Sequence, residues 1–405
     1  MIKIGSRPNL FYPSIFIIFN AMRKIDSIIM KKYINYSGCT LLTFLMFFSN
    51  FISGLLVYSR QYKFLKEKEK EASKFMGIEL IQDTTEISPI DSDIKIYFFL
   101  FFETYIDFAE NILSSYYIPN KFTRISKSLE WRFKSIIICA SGVFGFFILK
   151  IPIFKHQILS MIIILACLLI TLITEIIEYY KENSQDDRLF YIIYVLFLLL
   201  INQTFTSGFD IIEKYLLDFD FVNPFKLLMM KGMVGFFIIL LFCIYQNPFE
   251  QIKIINDNTP EKIPYLIASL ILYFLFSCGR NIYRIITIKL YSPTHKALFD
   301  YIFVPLLIIY YFIFDNDFTV NNKKIYYYFM INLIISFIIV ICGLVYNEFL
   351  VLFFCNLQYN THYEISKRAK KIQSKAYELS LNESLSESNF SDSSFSDDNI
   401  YTKED

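Results

Sequence analysis

Ten stretches of the chain are dominated by apolar residues, and the breaks between them carry most of the charge. They cover about residues 10–22, 38–58, 94–113, 134–150, 157–177, 189–211, 225–245, 264–288, 299–315 and 326–354. Most approach the roughly 20 residues that a helix needs to cross a hydrocarbon core about 30 Å thick. Backbone groups in such a core must be bonded internally, so runs of this length fold as helices. Of the 405 residues, 55% are hydrophobic and only 19% charged. That is more apolar surface than soluble domains of this total length can hide. A β-barrel would show shorter, alternating segments. The expectation is an all-α polytopic membrane protein with about ten transmembrane helices in a lipid bilayer. The first stretch, LFYPSIFIIFNAM, is short and runs into Arg23, Lys24 and Asp26.

The breaks divide the chain. Residues 1–59 hold the first two spans, 60–93 a charged connector that is helical in part, 94–211 spans three to six, and 225–355 spans seven to ten. Residues 360–405 form a tail that begins basic and turns into SLNESLSESNFSDSSFSDDN, which has nothing to build a core from and is expected to be disordered. Its serines, followed by acids, make it a candidate substrate for an acidophilic kinase. Lys and Arg concentrate near residues 60–74, 280–296 and 367–375. The positive-inside rule therefore places the connector and both termini in the cytosol, in a plasma membrane or endomembrane, although Arg23–Lys32 and Lys121–Lys134 run against it. A homodimer is a candidate assembly.

Several chemistries lack their signatures. There is no Walker motif, GxGxxG, HExxH or CxxC, so no cofactor, metal or ATP-driven step is expected. A net charge of +1 leaves no nucleic-acid footprint. The seven cysteines lie in or beside apolar runs without paired spacing and read as small buried hydrophobes. The three histidines sit apart, and His295 has Asp300 nearby but no nucleophile, so no catalytic residue is assigned and the chain is not read as an enzyme.

Ionisable groups inside spans say more, because they are costly in hydrocarbon and usually face a cavity or a partner. In the third span Glu103, Asp107 and Glu110 recur at i, i+4 and i+7, on one helical face. In the eighth, Arg280 and Arg284 share a face with Asn281 beside them. Guanidinium matches phosphate or carboxylate with two parallel bonds, and the competing reading has these side chains snorkelling to the surface. Glu103, Asp107, Arg280, Asn281 and Arg284 are the candidate substrate-binding residues. A second tier of Asn50, Asn202, Gln203, Asp210 and Asn332, with Lys231, suits hydrogen bonding between packed helices.

Residues 286–307, ITIKLYSPTHKALFDYIFVPLL, join two apolar runs. Pro293 keeps Ser292 out of helical geometry, and Thr294 is the expected N-cap of the next helix. Lys296 is expected at the headgroups, and Asp300 where a helix dipole favours an acid.

Three stretches carry a resemblance: NQTFTSGFDIIEKYLLDFDFVNPFKLLMMKGMVGFF (202–237), NIYRIITIKLYSPTHKALFD (281–300) and IIVICGLVYNEFL (338–350). With Glu213–Tyr215, Pro224, Gly232 and Gly235, Ser292–Lys296 with Asp300, and Gly343 with Tyr346–Glu348, they resemble the second half of the drug/metabolite transporter superfamily. The likeness is to its EamA-like group, which includes the solute carrier 35, nucleotide-sugar-transporter-like branch. Residues 128–164 resemble the family's fourth and fifth spans more weakly, and Ser128–Arg132 echoes Ser292–Lys296. Lys231 stands where the family has an acid, and Lys296 where it has arginine. The resemblance implies two inverted five-helix repeats. It further implies secondary-active transport of a small polar or anionic metabolite, nucleotide-sugar-like, by alternating access to a cavity faced by spans three and eight. The alternative is a non-transporting receptor or scaffold that keeps the fold and acts through its tail.

Overall fold

The computed structural model describes residues 2–4, 10–34, 36, 38–76, 90–112, 132–182, 187–220, 222–245, 249–314 and 323–352, with short pieces between 361 and 374. The inner part of the connector, the 113–131 segment with Ser128, and the Ser/acidic tail lie outside the described residues.

The architecture is helical. The helices are α1 (Phe11–Ile29), α2 (Cys39–Met76), α3 (Ile90–Ile112), α4 (Ile136–Ile148), α5 (Lys155–Glu182) and α6 (Asp187–Asp218). They continue with α7 (Pro224–Tyr245), the short α8 (Glu250–Asn258), α9 (Ile263–Leu290), α10 (Pro293–Tyr301), α11 (Val304–Phe314) and α12 (Lys323–Tyr346). A small antiparallel ribbon pairs β1 (Ile2–Ile4) with β2 (Leu350–Leu352), so the start of the chain lies against the segment that follows α12.

Five helical stretches among the described residues are long and apolar enough to cross a membrane: Thr40–Phe64, Lys155–Thr174, Pro224–Cys243, Pro260–Leu290 and Phe329–Tyr346. Ten were expected. The other expected spans are also helical, and their residues explain the difference. Helix α1 holds Arg23, Lys24 and Asp26, α3 holds Glu103 and Asp107, and α6 holds Asp210, Glu213 and Lys214. The α4 helix is apolar but only 13 residues long. The expected ninth span, 299–315, is two helices split at residues 302–303. Pro305 has no N–H to offer the carbonyl four residues back, which disfavours one continuous helix there.

Two other boundaries move. The first helix does not stop near residue 22 but runs to Ile29 and into a π-helical turn, Met30–Ile34. Asn20 and Asp26 are buried, so the polar residues that looked like an end face the interior. The α2 helix extends through the first part of the charged connector to Met76, and α3 starts at Ile90 rather than 94.

Beside its apolar clusters the interior also holds many polar and charged side chains, while large apolar ones lie exposed. Phe237 and Leu241 are 62% and 67% exposed, whereas Glu213, Gln203 and Arg132 are at most 1% exposed. That distribution suits a lipid surround, where apolar side chains need no cover. The tightest helix pair is α2 with α7. A Cβ on Gly54 would strike the backbone of Met229, and one on Gly232 would strike the backbone of Phe51. Each helix thus gives up a side chain where the other's backbone passes.

Several of the other contacts form a pattern. Helix α1 packs on α9 and α3 on α6; α2 packs on α9 and α3 on α7; α4 packs on α6 and α1 on α10. Helices α2 and α7 meet each other, as do α5 and α12. If α1–α5 are matched in order with α6, α7, α9, α10–α11 and α12, each of these contacts has its counterpart.

Candidate functional site

Lys231 lies seven residues inside α7, next to the Gly232 that lets α7 close on α2. At 1.5 Å per residue that is about 10 Å along the helix. An ammonium group buried there must be paired. Helix α3 supplies Glu103 Oε1, in close contact with Nζ, and Asp107 Oδ2 at 2.9 Å. Helix α6 supplies Glu213 Oε1 at 3.5 Å.

Glu213 carries the network onward. Arg284 of α9 donates from Nη1 to its Oε2 at 3.0 Å and from Nη2 to its Oε1 at 2.7 Å. This two-pronged geometry is the strongest form of the pair. Arg284 Nη1 also reaches Asp210 Oδ1 at 3.3 Å, one turn earlier on α6. Asp210 Oδ2 accepts from Lys296 Nζ of α10 at 2.8 Å, and Lys296 lies 3.1 Å from Asp300 Oδ2. Asn20 of α1 then bridges, donating to Asp300 Oδ1 at 3.0 Å and accepting from Arg280 Nε at 3.2 Å. Arg280 donates to Asn281, and Asn281 donates to Ser49 of α2 at 2.9 Å. One continuous polar chain therefore runs through α3, α7, α6, α9, α10, α1 and α2.

Local spacing makes the chain possible. Glu103 and Asp107, Arg280 and Arg284, and Lys296 and Asp300 are each four apart, and Asp210 and Glu213 three apart, so each pair projects from one helical face. Charge is nearly balanced along it, with Lys24 and Lys134 adding positive potential beside Asp300. At the α3 end acids outnumber bases: Glu103, Asp107 and Glu213 surround one lysine. Glu103 Oε2 is buried without a hydrogen-bond partner.

The expected binding residues separate into two ends of this chain. Glu103, Asp107 and Arg284 meet around Lys231 and Glu213, whereas Arg280 and Asn281 are joined to them only through Asn20, Asp300 and Lys296. Arg284 does not snorkel; it is 6% exposed. Lys296 is not at a headgroup either, since it is 4% exposed and ion-paired twice. Of the second tier, Asp210 belongs to the core of the network. Asn332 instead accepts a bond from Arg132, Asn50 accepts from Ser53 through its backbone, and Asn202 and Gln203 are buried on α6. The side chain of Glu110 lies outside the described residues. Sequence reasoning missed Glu213, Lys296, Asp300 and Asn20 as members. The signals available were the Asp210/Glu213 and Lys296/Asp300 spacings.

The α9–α10 junction is capped by Ser292, not Thr294. Ser292 has extended backbone, and its Oγ accepts from His295 N at 3.3 Å. Thr294 Oγ1 donates instead to Asn347 Oδ1 at 2.8 Å. Burial holds the His295 imidazole down at about 4, so it is neutral at physiological pH. Beside this junction opens a cavity of about 370 Å³, bordered by the ends of α4, α9 and α12.

The chain matches no family model, and no curated protein is similar to it at a significant level.

Proposed function

We propose that the chain is a secondary-active transporter of a small polar or anionic metabolite, working by alternating access between two inverted five-helix repeats that make ten spans. The observation that carries this reading is the ion chain joining α3 to α6, α7 and α9. In the proposed pairing it ties helices of one repeat to helices of the other through groups that an incoming ligand can compete for. The paired contact pattern supports the repeats, and the resemblance of residues 202–237, 281–300 and 338–350 to drug/metabolite transporters supports the activity.

The mechanism follows from the groups present. An anionic substrate offers Arg284 an alternative to Glu213 and Arg280 an alternative to Asn20 and Asn281, and a carboxyl that takes up a proton releases its cation. At Arg284 and Lys231 the exchange swaps one buried pair for another, so no charge there is left alone in a low dielectric. Closing on one side can then accompany opening on the other.

The test is flux of candidate metabolites, nucleotide sugars among them, into proteoliposomes holding the full chain. Uptake above empty vesicles that is abolished by Arg280→Ala and by Asp107→Asn is the expected result. Purified, folded protein with no flux of any candidate overturns the transport reading. Normal flux in both variants overturns the site.

A further inference from the structure

The cations of the interior are not all held alike. Lys231, Arg284 and Lys296 have carboxylate oxygens at 2.9, 2.7 and 2.8 Å. Arg280 instead donates Nε to Asn20 and Nη1 to Asn281, both neutral amide oxygens, and its Nη2 edge makes no bond among the described residues. Lys24 of α1 makes neither a hydrogen bond nor an ion pair among the described residues.

The two stand together because of how α1 meets α9. A Cβ on Gly279 would strike the Phe19 ring, and Phe19 stacks on Tyr283 with centroids 5.9 Å apart. That close approach sets Asn20 against Arg280. Lys24 follows Asn20 by four residues, one turn along the same face of α1. It is therefore directed with Asn20 toward α9 and α10 rather than toward lipid, and both it and Arg280 are half-buried. Arg280, Asp300 of α10 and Lys134, just before α4, are all near enough to act on the Lys24 charge. The acid that Lys24 and Arg280 face in common is already committed. Asn20 Nδ2 donates to Asp300 Oδ1 at 3.0 Å, and Lys296 Nζ lies 3.1 Å from Asp300 Oδ2. Two cations drawn partly out of water without a carboxylate of their own are costly to keep. An anion bound between them removes that cost.

We infer that Lys24 and Arg280 together bind the phosphate group of a soluble phosphate monoester. The inference rests on the transport reading, because it assigns the charged end of that reading's substrate. A phosphate monoester carries nearly two negative charges at neutral pH, one for each cation, and three terminal oxygens. The Nη2 edge of Arg280 takes one oxygen, and the ammonium of Lys24, a rotatable point donor, takes another. A carboxylate brings a single charge and leaves one of the two cations without a counterpart. Asn20 is a positioning residue, holding the guanidinium through Nε.

The experiment is equilibrium binding of radiolabelled inorganic phosphate to the purified full chain in detergent, at neutral pH and constant ionic strength. The competitors are glycerol phosphate, acetate and dioctanoyl phosphatidic acid, which presents the same monoester as a lipid headgroup. Glycerol phosphate is expected to compete at least about tenfold better than acetate and no worse than the lipid. Lys24→Gln and Arg280→Gln are each expected to weaken phosphate binding at least about tenfold, and Lys24→Arg to keep most of it. Lys253→Gln, which removes an exposed lysine of α8, is expected to bind as the native chain does. No saturable phosphate binding up to about 10 mM, equal competition by acetate, or a preference for phosphatidic acid overturns the proposal, and these arms use only the native chain. Native-like binding by a folded Lys24→Gln protein, or an equal loss in Lys253→Gln, overturns it as well. Phosphate binding without flux in proteoliposomes strikes the transport reading and leaves the anion site standing, whereas flux without phosphate binding strikes the anion site alone.

Discussion

Glu213 stands between two cations: Lys231 Nζ is 3.5 Å from its Oε1, and Arg284 grips both of its oxygens. One carboxylate on α6 therefore serves partners on α7 and α9, and these partners share their charge with Asp107 and Asp210.

Removing that carboxylate leaves two buried cations under-compensated. Glu213→Gln is expected to destabilise the detergent-solubilised protein by about 3–5 kcal/mol, the usual cost of breaking a buried pair. Thermal unfolding followed by fluorescence measures it. Combined with Lys231→Met, the loss should be clearly smaller than the sum of the single losses; strict additivity would show that the two do not interact.

Arginine at 284 is used for its fork. Arg284→Lys keeps the charge but cannot bond both Glu213 oxygens and Asp210 together. The expected result is a lower melting temperature and reduced flux, with the charge-preserving change no better tolerated than Arg284→Gln. Wild-type behaviour in Arg284→Lys would reduce the contact to simple charge balance.

The glycines give a paired test of packing. Gly232→Ala puts a methyl against the Phe51 backbone, whereas Gly145→Ala meets only the Ile211 Cδ1 at an ordinary 3.7 Å. The first is expected to cost about 1–3 kcal/mol and the second close to nothing. Melting temperatures of the two variants, compared side by side, decide it.

His295 lies at the α9–α10 junction, and its imidazole is held from the usual 6.5 down to about 4. The unfolded chain then binds the proton more readily than the folded one, so the contribution to stability is present above about pH 6.5 and is lost as pH falls through about 4. His295→Asn should flatten the acid limb of a stability profile between those values. An unchanged limb would place the acid sensitivity elsewhere.

Much of this was legible in the sequence, for reasons that can be named. Glu103, Asp107 and Arg284 stood out because charge in an apolar run is costly and four-residue spacing fixes a shared face. Their common partners were not legible, since Lys231 and Glu213 come from other helices and only tertiary packing brings them together. Lys296 was misplaced for a related reason. A proline-bearing junction suggests a surface, yet α10 begins between α1, α4 and α6, where Asp210 waits for a cation. The same interior charges explain why hydropathy and length single out five helices where ten apolar runs were counted. Helices such as α1, α3 and α6 dilute their hydropathy with residues that face one another.

The order of residues in the network bears on how it is made. Glu103, Asp107, Asp210 and Glu213 all precede the cations that pair with them, Lys231, Arg284 and Lys296. During synthesis from the amino end the acids enter the bilayer first, without partners. A carboxyl can wait there by holding a proton and staying neutral, which a guanidinium cannot do. Each late cation then arrives where acids are already in place and displaces their protons as the pair forms. Around Lys231 and Arg284 assembly is thus ordered by chemistry as well as by chain position: the acids, able to discard their charge, are translated before the guanidinium that cannot, while Asp300 is the network acid that follows its partner, Lys296.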